Sequence, residues 1–131
     1  MGLAIASVVQ ENSGLSLGAV WEHDEHPEVG NTYALEPALI VGSGPDCGVE
    51  QVDVLIDFTA PHATVSHAKW AAENRVAIVI GTTGLESEHH QELDVASRQV
   101  ALVQAPNMSV GVNVLCRLVA DATRMLATDY D

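Results

Sequence analysis

Short runs of aliphatic and β-branched residues alternate with segments of helical periodicity, and this alternation restricts the possible folds most strongly. Three runs are apolar enough to form strands buried on both faces, at residues 52–58, 76–80 and 100–105. Helical patterns follow them at 61–74, 87–98 and 110–126. The order predicts a doubly wound, mainly parallel α/β sheet with ligands at the carboxyl ends of its strands.

The first third of the chain gives weaker signals. We predict a helix over residues 2–12, a strand over 15–21 that ends at Glu22, and a short strand over 38–42. The polar stretch 23–37 favours a surface loop, and Ser43-Gly44-Pro45-Asp46 is a cluster of turn formers. Further along, Thr59 is the expected N-cap of the helix that Pro61 opens.

Charge and composition exclude several classes of partner. The formal net charge is −13, from 18 acidic and five basic residues, so a nucleic acid or an anionic membrane finds no basic surface. An acidic excess of this size also suits a high-salt cytoplasm, although charge does not determine fold. With 131 residues, 47% of them hydrophobic, one core and one domain are expected.

The two cysteines, Cys47 and Cys116, are far apart and show no C-x-x-C spacing, which favours reduced thiols in a cytosol. Cys116 falls on the apolar side of the last helical pattern, where we expect a small buried hydrophobe. The first residues lack the features of a signal peptide, and no apolar run is long enough to span a bilayer. A cytoplasmic protein is therefore predicted.

Small and hydroxyl-bearing residues follow the predicted strands, at the edge where such folds bind ligands. Three segments stand out: 53–59 with Pro61, Val79-Ile-Gly-Thr-Thr-Gly84, and Ala105-Pro-Asn-Met-Ser-Val-Gly-Val-Asn113. Taken alone, residues 81–84 could equally form a simple tight turn. In this order and at these separations the three segments resemble the dihydrodipicolinate reductase family, and the resemblance covers nearly the whole chain.

The resemblance implies a set of cofactor-binding residues for NADH or NADPH. Gly2 would lie beside the pyrophosphate at the start of the first helix, and Glu22 would accept the adenosine ribose hydroxyl. His23 stands where the family often has an arginine that pairs with the NADP phosphate, which favours NADH here. The nicotinamide side would be formed by Phe58, Thr59, Gly81, Thr82, Thr83, Ala105, Pro106, Asn107 and Met108. Thr83 would also contact the substrate.

The resemblance further implies an oxidoreductase of lysine and diaminopimelate biosynthesis that reduces an unsaturated heterocyclic dicarboxylate. The family's histidine pair, lysine and Ser-Gly-Thr turn have no counterpart before Asp131, so no catalytic residue is expected within residues 1–131. We expect a partial dinucleotide-binding domain that is inactive alone, whereas the full-length family forms a homotetramer. A nucleotide-binding module without catalysis, or a remnant without any ligand, are the alternatives.

The family's first strand also has no counterpart, and it is central in the order 3-2-1-4-5-6. Either the strands at Leu15 and Val54 pair directly, or the sheet splits, or a longer parent chain supplies the missing strand. We favour the last explanation.

Several other residues have simpler interpretations than catalysis. His89 and His90 lie among glutamates, and we expect both on a solvated helix face. Asp57 ends a strand, where hydrogen bonding to neighbouring backbone is more usual than acid catalysis. A divalent metal site is a minor alternative because no fixed scaffold is apparent beneath its candidate ligands, which are His23, Asp24, Glu25, His26 and Glu28.

Overall fold

A computed structural model describes residues 1–45 and 52–126, which form four helices and six strands. The strands belong to two three-stranded sheets, one ordered β1-β3-β2 and the other β4-β5-β6. The elements are α1 (Gly2–Glu11), β1 (Val20–Trp21), β2 (Thr32–Tyr33), β3 (Glu36–Gly42), β4 (Val54–Asp57), α2 (Pro61–Asn74), β5 (Ala77–Ile80), α3 (Ser87–Ser97), β6 (Leu102–Gln104) and α4 (Val110–Leu126).

The sheet β4-β5-β6 is parallel throughout, as predicted. Its register places Asp57 opposite Ile80 and Ile80 opposite Gln104, so the three strands end at one edge. Helices α2 and α3 cover one face of the sheet, and small alanines let them approach it closely. The core between them consists of Ala68, Ala71, Ala72, Val76, Ile78, Ile80, Leu93 and Ala96. The α/β architecture with parallel strands and crossover helices is Rossmann-like.

Burial on both faces of this sheet was predicted, and the described residues show burial on one. Ile80 is fully buried beneath the helices, whereas Ile56 is 43% exposed and Val103 is 57% exposed on the other face. The apolar run predicts a strand correctly, but a run alone does not say which neighbour covers each face.

Helix α4 spans the predicted residues, yet none of its described side chains is buried. Three of its apolar side chains, those of Leu115, Leu118 and Val119, are more than half exposed. Cys116 is exposed too, so the expectation of a buried cysteine is wrong. The reason is the same as for the open face of the sheet: periodicity marks an apolar side of a helix but does not supply the surface that buries it.

The sheet β1-β3-β2 corrects the predictions for the first third of the chain. Strand β3 pairs with β1 in parallel and with β2 in antiparallel orientation. Residues 23–37 are therefore not only a loop, because Tyr33 pairs with Glu36 across a short turn and Thr32 pairs with Ile40 further along β3. Pro37 is accommodated in β3 beside a register shift, where a residue without an N–H is tolerated.

The strand predicted over residues 15–21 shortens to Val20–Trp21. Ser16 and Gly18 have low strand propensity, and only the last two residues find partners on β3. The turn formers Ser43, Gly44 and Pro45 do end β3 in bends and a turn. Asp46 and Cys47 lie outside the described residues.

The helices begin and end close to the predicted residues. Helix α1 covers Gly2–Glu11 with Asn12 as its extended C-cap. Helix α2 starts at Pro61, but its N-cap is Ala60 rather than Thr59, because the Thr59 hydroxyl donates to Asp57 Oδ1 at 2.6 Å. Helix α3 covers Ser87–Ser97. Where the chain is described, no helix is both long and apolar enough to cross a bilayer.

Strands β1 and β4 belong to separate sheets. Direct pairing between them, which was one of the alternatives for the missing first strand, is therefore not found in the described residues. Ring contacts connect the two sheets through α2 instead. Trp21 of β1 packs edge-on against Trp70 with centroids 5.5 Å apart, and against His67 with centroids 6.0 Å apart. Helix α2 therefore contacts the end of β1 on one side and the sheet β4-β5-β6 on the other.

Candidate functional site

The turns after β4 and β5 are joined by hydrogen bonds between threonines. The backbone N–H of Thr59 donates to Thr82 Oγ1 at 3.0 Å, and Thr64 Oγ1 donates to the same atom at 2.8 Å. Thr64 and Thr82 are buried, while Thr59 is exposed at the surface of the cluster. The parallel register brings these turns to one edge, and the hydroxyls then fix their separation.

Asp57 is the charged centre of this cluster. It ends β4, is 2% exposed, and accepts hydrogen bonds from Thr59 Oγ1 at 2.6 Å and from His67 Nδ1 at 3.2 Å. Burial by itself would raise the Asp57 pKa, but the hydrogen bonds from His67 and Thr59 outweigh it and hold the pKa below its ordinary value. Within residues 1–45 and 52–126, the ionised Asp57 carboxylate accepts from side chains, whereas the sequence suggested backbone partners.

Gly81 lies directly beneath the ring of Phe58. A Cβ built on Gly81 would overlap the Cε1, Cζ and Cδ1 atoms of that ring, so only glycine lets the two turns approach this closely. The backbone N–H of Gly81 donates to the carbonyl of Asp57 at 2.8 Å. The ladder between β4 and β5 therefore continues into the turn and holds Phe58 against it.

Thr83 and Gly84 form the exposed part of the second turn. Gly84 has a φ of +76°, a conformation that favours glycine, and a Cβ there would meet nothing within 4 Å. An exposed hydroxyl and an open stretch of backbone thus stand above the buried Thr82. This arrangement offers donors and acceptors to a ligand without steric obstruction.

The third turn follows β6 at the same edge. The N–H of Ala105 donates to the carbonyl of Ile80 at 3.1 Å, which extends the β5–β6 ladder by one residue. Pro106, Asn107 and Met108 follow and are exposed. Asn107 Oδ1 accepts the N–H of Ser109 at 2.8 Å, so this side chain shapes the turn that leads into α4.

The residues expected at the adenosine side lie in the other sheet. Glu22 and His23 follow β1 and are exposed, and the N–H of Glu22 donates to the carbonyl of Gly42 at 3.0 Å. Tyr33 of β2 lies near enough for an electrostatic effect: burial first, and then the negative charge of Glu22, raise the Tyr33 pKa. Gly2 is exposed in the first turn of α1, where a Cβ would meet nothing within 4 Å.

Two cavities among the described residues lie away from this edge. One of about 460 Å³ opens near the amino ends of the strands, with Asp53, Ala77 and Ala101 in its lining. Another of about 360 Å³ lies between α2 and α3. In parallel α/β sheets ligands bind outside the carboxyl ends, so we place the candidate site at the three turns, which form an open shelf.

The two neighbouring histidines of α3, His89 and His90, differ in burial. His90 is exposed as predicted, but His89 is buried, and the prediction of a solvated face is wrong for it. Its Nδ1 accepts the N–H of Glu86 at 2.9 Å, and its ring packs edge-on against His62. The ring of His89 thus satisfies an orphan donor at the helix N-terminus, which composition did not reveal.

His23 and His26 pack ring against ring with centroids 5.4 Å apart. Within residues 1–45 and 52–126, no three His, Cys, Asp or Glu side chains come together as metal ligands. The contacts of Thr64, His67 and Tyr33 around the proposed site were missed by sequence reasoning. Thr64 and His67 lie six and three residues before Trp70 on α2. This helical spacing places them on the same side of the helix as Trp70, and it was the signal in the sequence that could have revealed them.

A parallel sheet whose small-residue turns meet at the carboxyl edge defines a Rossmann-like α/β domain of the nucleotide-binding class. A family model described as "Dihydrodipicolinate reductase, N-terminus" matches residues 1–108. The chain belongs to this family.

Curated relatives agree with the family assignment. The chain is 44% identical over 133 residues to the 4-hydroxy-tetrahydrodipicolinate reductase of Nitratidesulfovibrio vulgaris (strain DP4), covering 100% of this chain and 50% of that protein. It is 39% identical over 136 residues to the protein of the same name from Desulfotalea psychrophila, covering 100% of this chain and 51% of that one. The chain therefore spans about half the length of the curated relatives it matches.

Proposed function

We propose that the chain binds NADH or NADPH along the edge formed by the turns after β4, β5 and β6. The observation that carries the proposal is the direct contact of two turns at the ends of parallel strands, through Thr59 N–H and Thr82 Oγ1 at 3.0 Å. Family membership adds the reductase context. The residues proposed to contact the cofactor are Gly2, Glu22, His23, Phe58, Thr59, Gly81, Thr82, Thr83, Ala105, Pro106, Asn107 and Met108.

The residues present fit a nicotinamide dinucleotide. The exposed Thr83 hydroxyl and the open backbone at Gly84 offer hydrogen bonds, and the Phe58 ring provides a flat apolar surface. Beneath them, Thr82 and Asp57 are buried and fully engaged, so they hold the turns in place before a ligand arrives. A preorganised shelf of this kind loses little entropy on binding.

The adenosine half is assigned to the other sheet. Glu22 accepts the ribose hydroxyls, because an acidic residue at the end of the second strand is the usual partner of that group. Its negative charge opposes a 2′-phosphate, and the adjacent His23 lacks the guanidinium fork with which an arginine would pair with that phosphate. We therefore infer a preference for NADH over NADPH. Gly2, at the positive end of α1, is assigned to the pyrophosphate.

We further propose that this chain is the dinucleotide-binding part of an enzyme that reduces 4-hydroxy-tetrahydrodipicolinate to tetrahydrodipicolinate in lysine biosynthesis. A bound nicotinamide supplies the hydride for that reaction. Thr83 is assigned a contact to the dicarboxylate substrate, while the proton donor comes from outside residues 1–131. By analogy with the family, the complete enzyme is a cytoplasmic homotetramer that acts without nucleic acid or membrane.

Calorimetric titration of the chain with NADH and with NADPH tests the binding proposal. We expect a dissociation constant of about 1–100 µM for NADH and a weaker one for NADPH. Thr83→Val should weaken binding about threefold to tenfold, because it removes an exposed hydroxyl while keeping the shape. A matched control is Thr123→Val on α4, far along the chain, which should leave the affinity unchanged. A folded chain that releases no heat with either nucleotide contradicts the proposal.

Turnover is tested in a chimera in which residues 15–126 replace the matching segment of the Nitratidesulfovibrio vulgaris relative. This design keeps the first strand and the second half of that protein. We expect NADH-dependent reduction of 4-hydroxy-tetrahydrodipicolinate. Nucleotide binding without turnover in the chimera would contradict the reductase assignment and support the alternative of a nucleotide-binding module without catalysis.

A further inference from the structure

His67 of α2 touches both sheets of the protein. Its Nδ1 lies 3.2 Å from Asp57 Oδ2 at the end of β4, and its ring packs at a 47° tilt against Trp21 at the end of β1. The side chain is 15% exposed, so it is mostly enclosed between these two neighbours. His67 is not among the residues proposed to contact the cofactor.

The contact with Asp57 has a defined direction. An ionised carboxylate only accepts hydrogen bonds, so Nδ1 of His67 carries the proton and donates it. Asp57 in turn accepts from Thr59 Oγ1, and the N–H of Thr59 donates to Thr82 Oγ1. A continuous series of hydrogen bonds therefore runs from His67 to the turns proposed to hold the nicotinamide.

The contact with Trp21 reaches the other half of the proposed site. Trp21 immediately precedes Glu22, the residue assigned to the adenosine ribose. Strands β1 and β4 share no hydrogen-bond ladder in the described residues, and side-chain contacts such as this one connect their ends through α2. A dinucleotide must contact both ends at once, and its affinity is therefore sensitive to the distance between them.

We propose that His67 is a positioning residue that holds the adenosine end at Glu22 and the nicotinamide end at Thr59 and Thr82 in a fixed arrangement. It acts through Trp21 and Asp57 and does not touch the nucleotide. This inference rests on the proposed function, because His67 would set the distance between the two ends of the proposed dinucleotide site. A positioning role differs from simple helix packing in its effect on affinity. It affects ligands that span both ends of the site more than ligands that occupy one end.

Two substitutions separate the two contacts. His67→Phe keeps a ring against Trp21 and removes the donor to Asp57, whereas His67→Asn keeps an N–H donor near the Nδ1 position and removes the ring. His90→Phe on α3 is the matched control, because His90 is exposed. Each variant of the full chain is titrated calorimetrically with NADH, and with AMP as a probe of the adenosine end alone, after circular dichroism establishes that it is folded.

We expect NADH affinity to fall about fivefold to twentyfold in both His67 variants, with AMP affinity within about twofold of wild type. The His90→Phe control should bind both ligands like wild type. Equal losses for NADH and AMP, or unchanged NADH affinity, overturn the positioning role. So does the loss of helical signal in both variants, which would make His67 a folding residue. A folded wild-type chain that fails to bind NADH overturns the proposed function, and this inference with it.

Discussion

The two faces of the sheet β4-β5-β6 have the same kind of sequence and opposite surroundings. Ile80 faces α2 and α3 and is 0% exposed, while Ile56 on the neighbouring strand faces the other way and is 43% exposed. At the carboxyl edge, by contrast, the polar residues Asp57, Thr64 and Thr82 are buried and bonded to one another.

Burial in this sheet follows the neighbours of a residue more closely than its type. The covered face owes its stability to apolar packing, and the turns owe their shape to a satisfied polar cluster. The open face and α4 carry apolar side chains that the described residues do not cover. Replacing the same residue type on the covered face and on the open face therefore separates the effect of burial on stability from the effect of composition.

The largest effect is expected for Ile80→Ala. It removes a fully buried side chain from the core and leaves a cavity, which should lower the free energy of unfolding by about 3–4 kcal/mol. Urea denaturation followed by circular dichroism measures the change. Ile56→Ala is the matched control and should cost less than about 1 kcal/mol, because its side chain is already partly solvated. Equal losses at the two positions would show that the open face is covered in solution.

The next effect concerns the charge at the end of β4. Asp57→Asn removes a buried carboxylate that accepts from Thr59 and His67, and should cost about 2–3 kcal/mol at pH 7. The pKa of Asp57 is lower in the folded chain than its ordinary value of 3.8. Its ionised form therefore stabilises the fold above that value, and the contribution is lost as the pH falls through the folded pKa.

Measurement of the unfolding free energy between pH 7 and pH 3 tests the sign of this effect. The difference between wild type and Asp57→Asn should be largest near neutral pH and should shrink below about pH 4. Asp94→Asn on the exposed side of α3 serves as the control and should change the free energy of unfolding by little. A difference that grows on acidification contradicts an ionised Asp57.

Sequence patterns were sufficient for the elements around these residues and insufficient for their surroundings. Strands β4, β5 and β6 and helices α2, α3 and α4 follow from periodicity, because apolar spacing is a local property. The exposed positions of α4 and the burial of His89 depend on which elements meet, and no local pattern specifies that. The hairpin of β2 and β3 was hidden by polar composition.

A glycine pair gives an intermediate effect. Gly81→Ala places a methyl group in the ring of Phe58 and should cost about 1–3 kcal/mol by displacing that ring. Gly111→Ala lies in the exposed first turn of α4, where the nearest atom to a new Cβ is Ser109 Oγ at 3.9 Å. It should be neutral, or stabilising by up to about 1 kcal/mol. Thermal unfolding of the two variants compares them, and a stabilising Gly81→Ala would contradict the described contact with Phe58.

The smallest effect is expected on α4. Leu118→Ala changes a side chain that is more than half exposed, and should alter the unfolding free energy by less than about 0.5 kcal/mol. Leu93→Ala in the core of α3 is its counterpart and should cost about 3 kcal/mol. Urea midpoints of the two variants give the comparison. A cost at Leu118 close to that at Leu93 would mean that α4 is packed against the chain in solution.

The sequence predicts the residues of the candidate site more completely than the side-chain contacts that hold them in place. Small residues after successive parallel strands must meet at one edge, so Thr59, Gly81 and Ala105 could be grouped from the sequence. The contacts that support these turns could not, because His67 reaches Asp57 and Thr64 reaches Thr82 across a helix–sheet contact. The same is true of Tyr33, whose proximity to Glu22 depends on the pairing of β2 with β3.

Hydrogen–deuterium exchange of the chain with and without saturating NADH locates the bound cofactor on the sheet. If the carboxyl edge holds the nicotinamide, bound NADH should slow exchange at residues 58–60, 81–84 and 105–108, while the amides of α4 beyond its first turn exchange as before. Protection confined to α4 or to the amino ends of the strands, with these three turns unchanged, would contradict a nicotinamide site at the carboxyl edge.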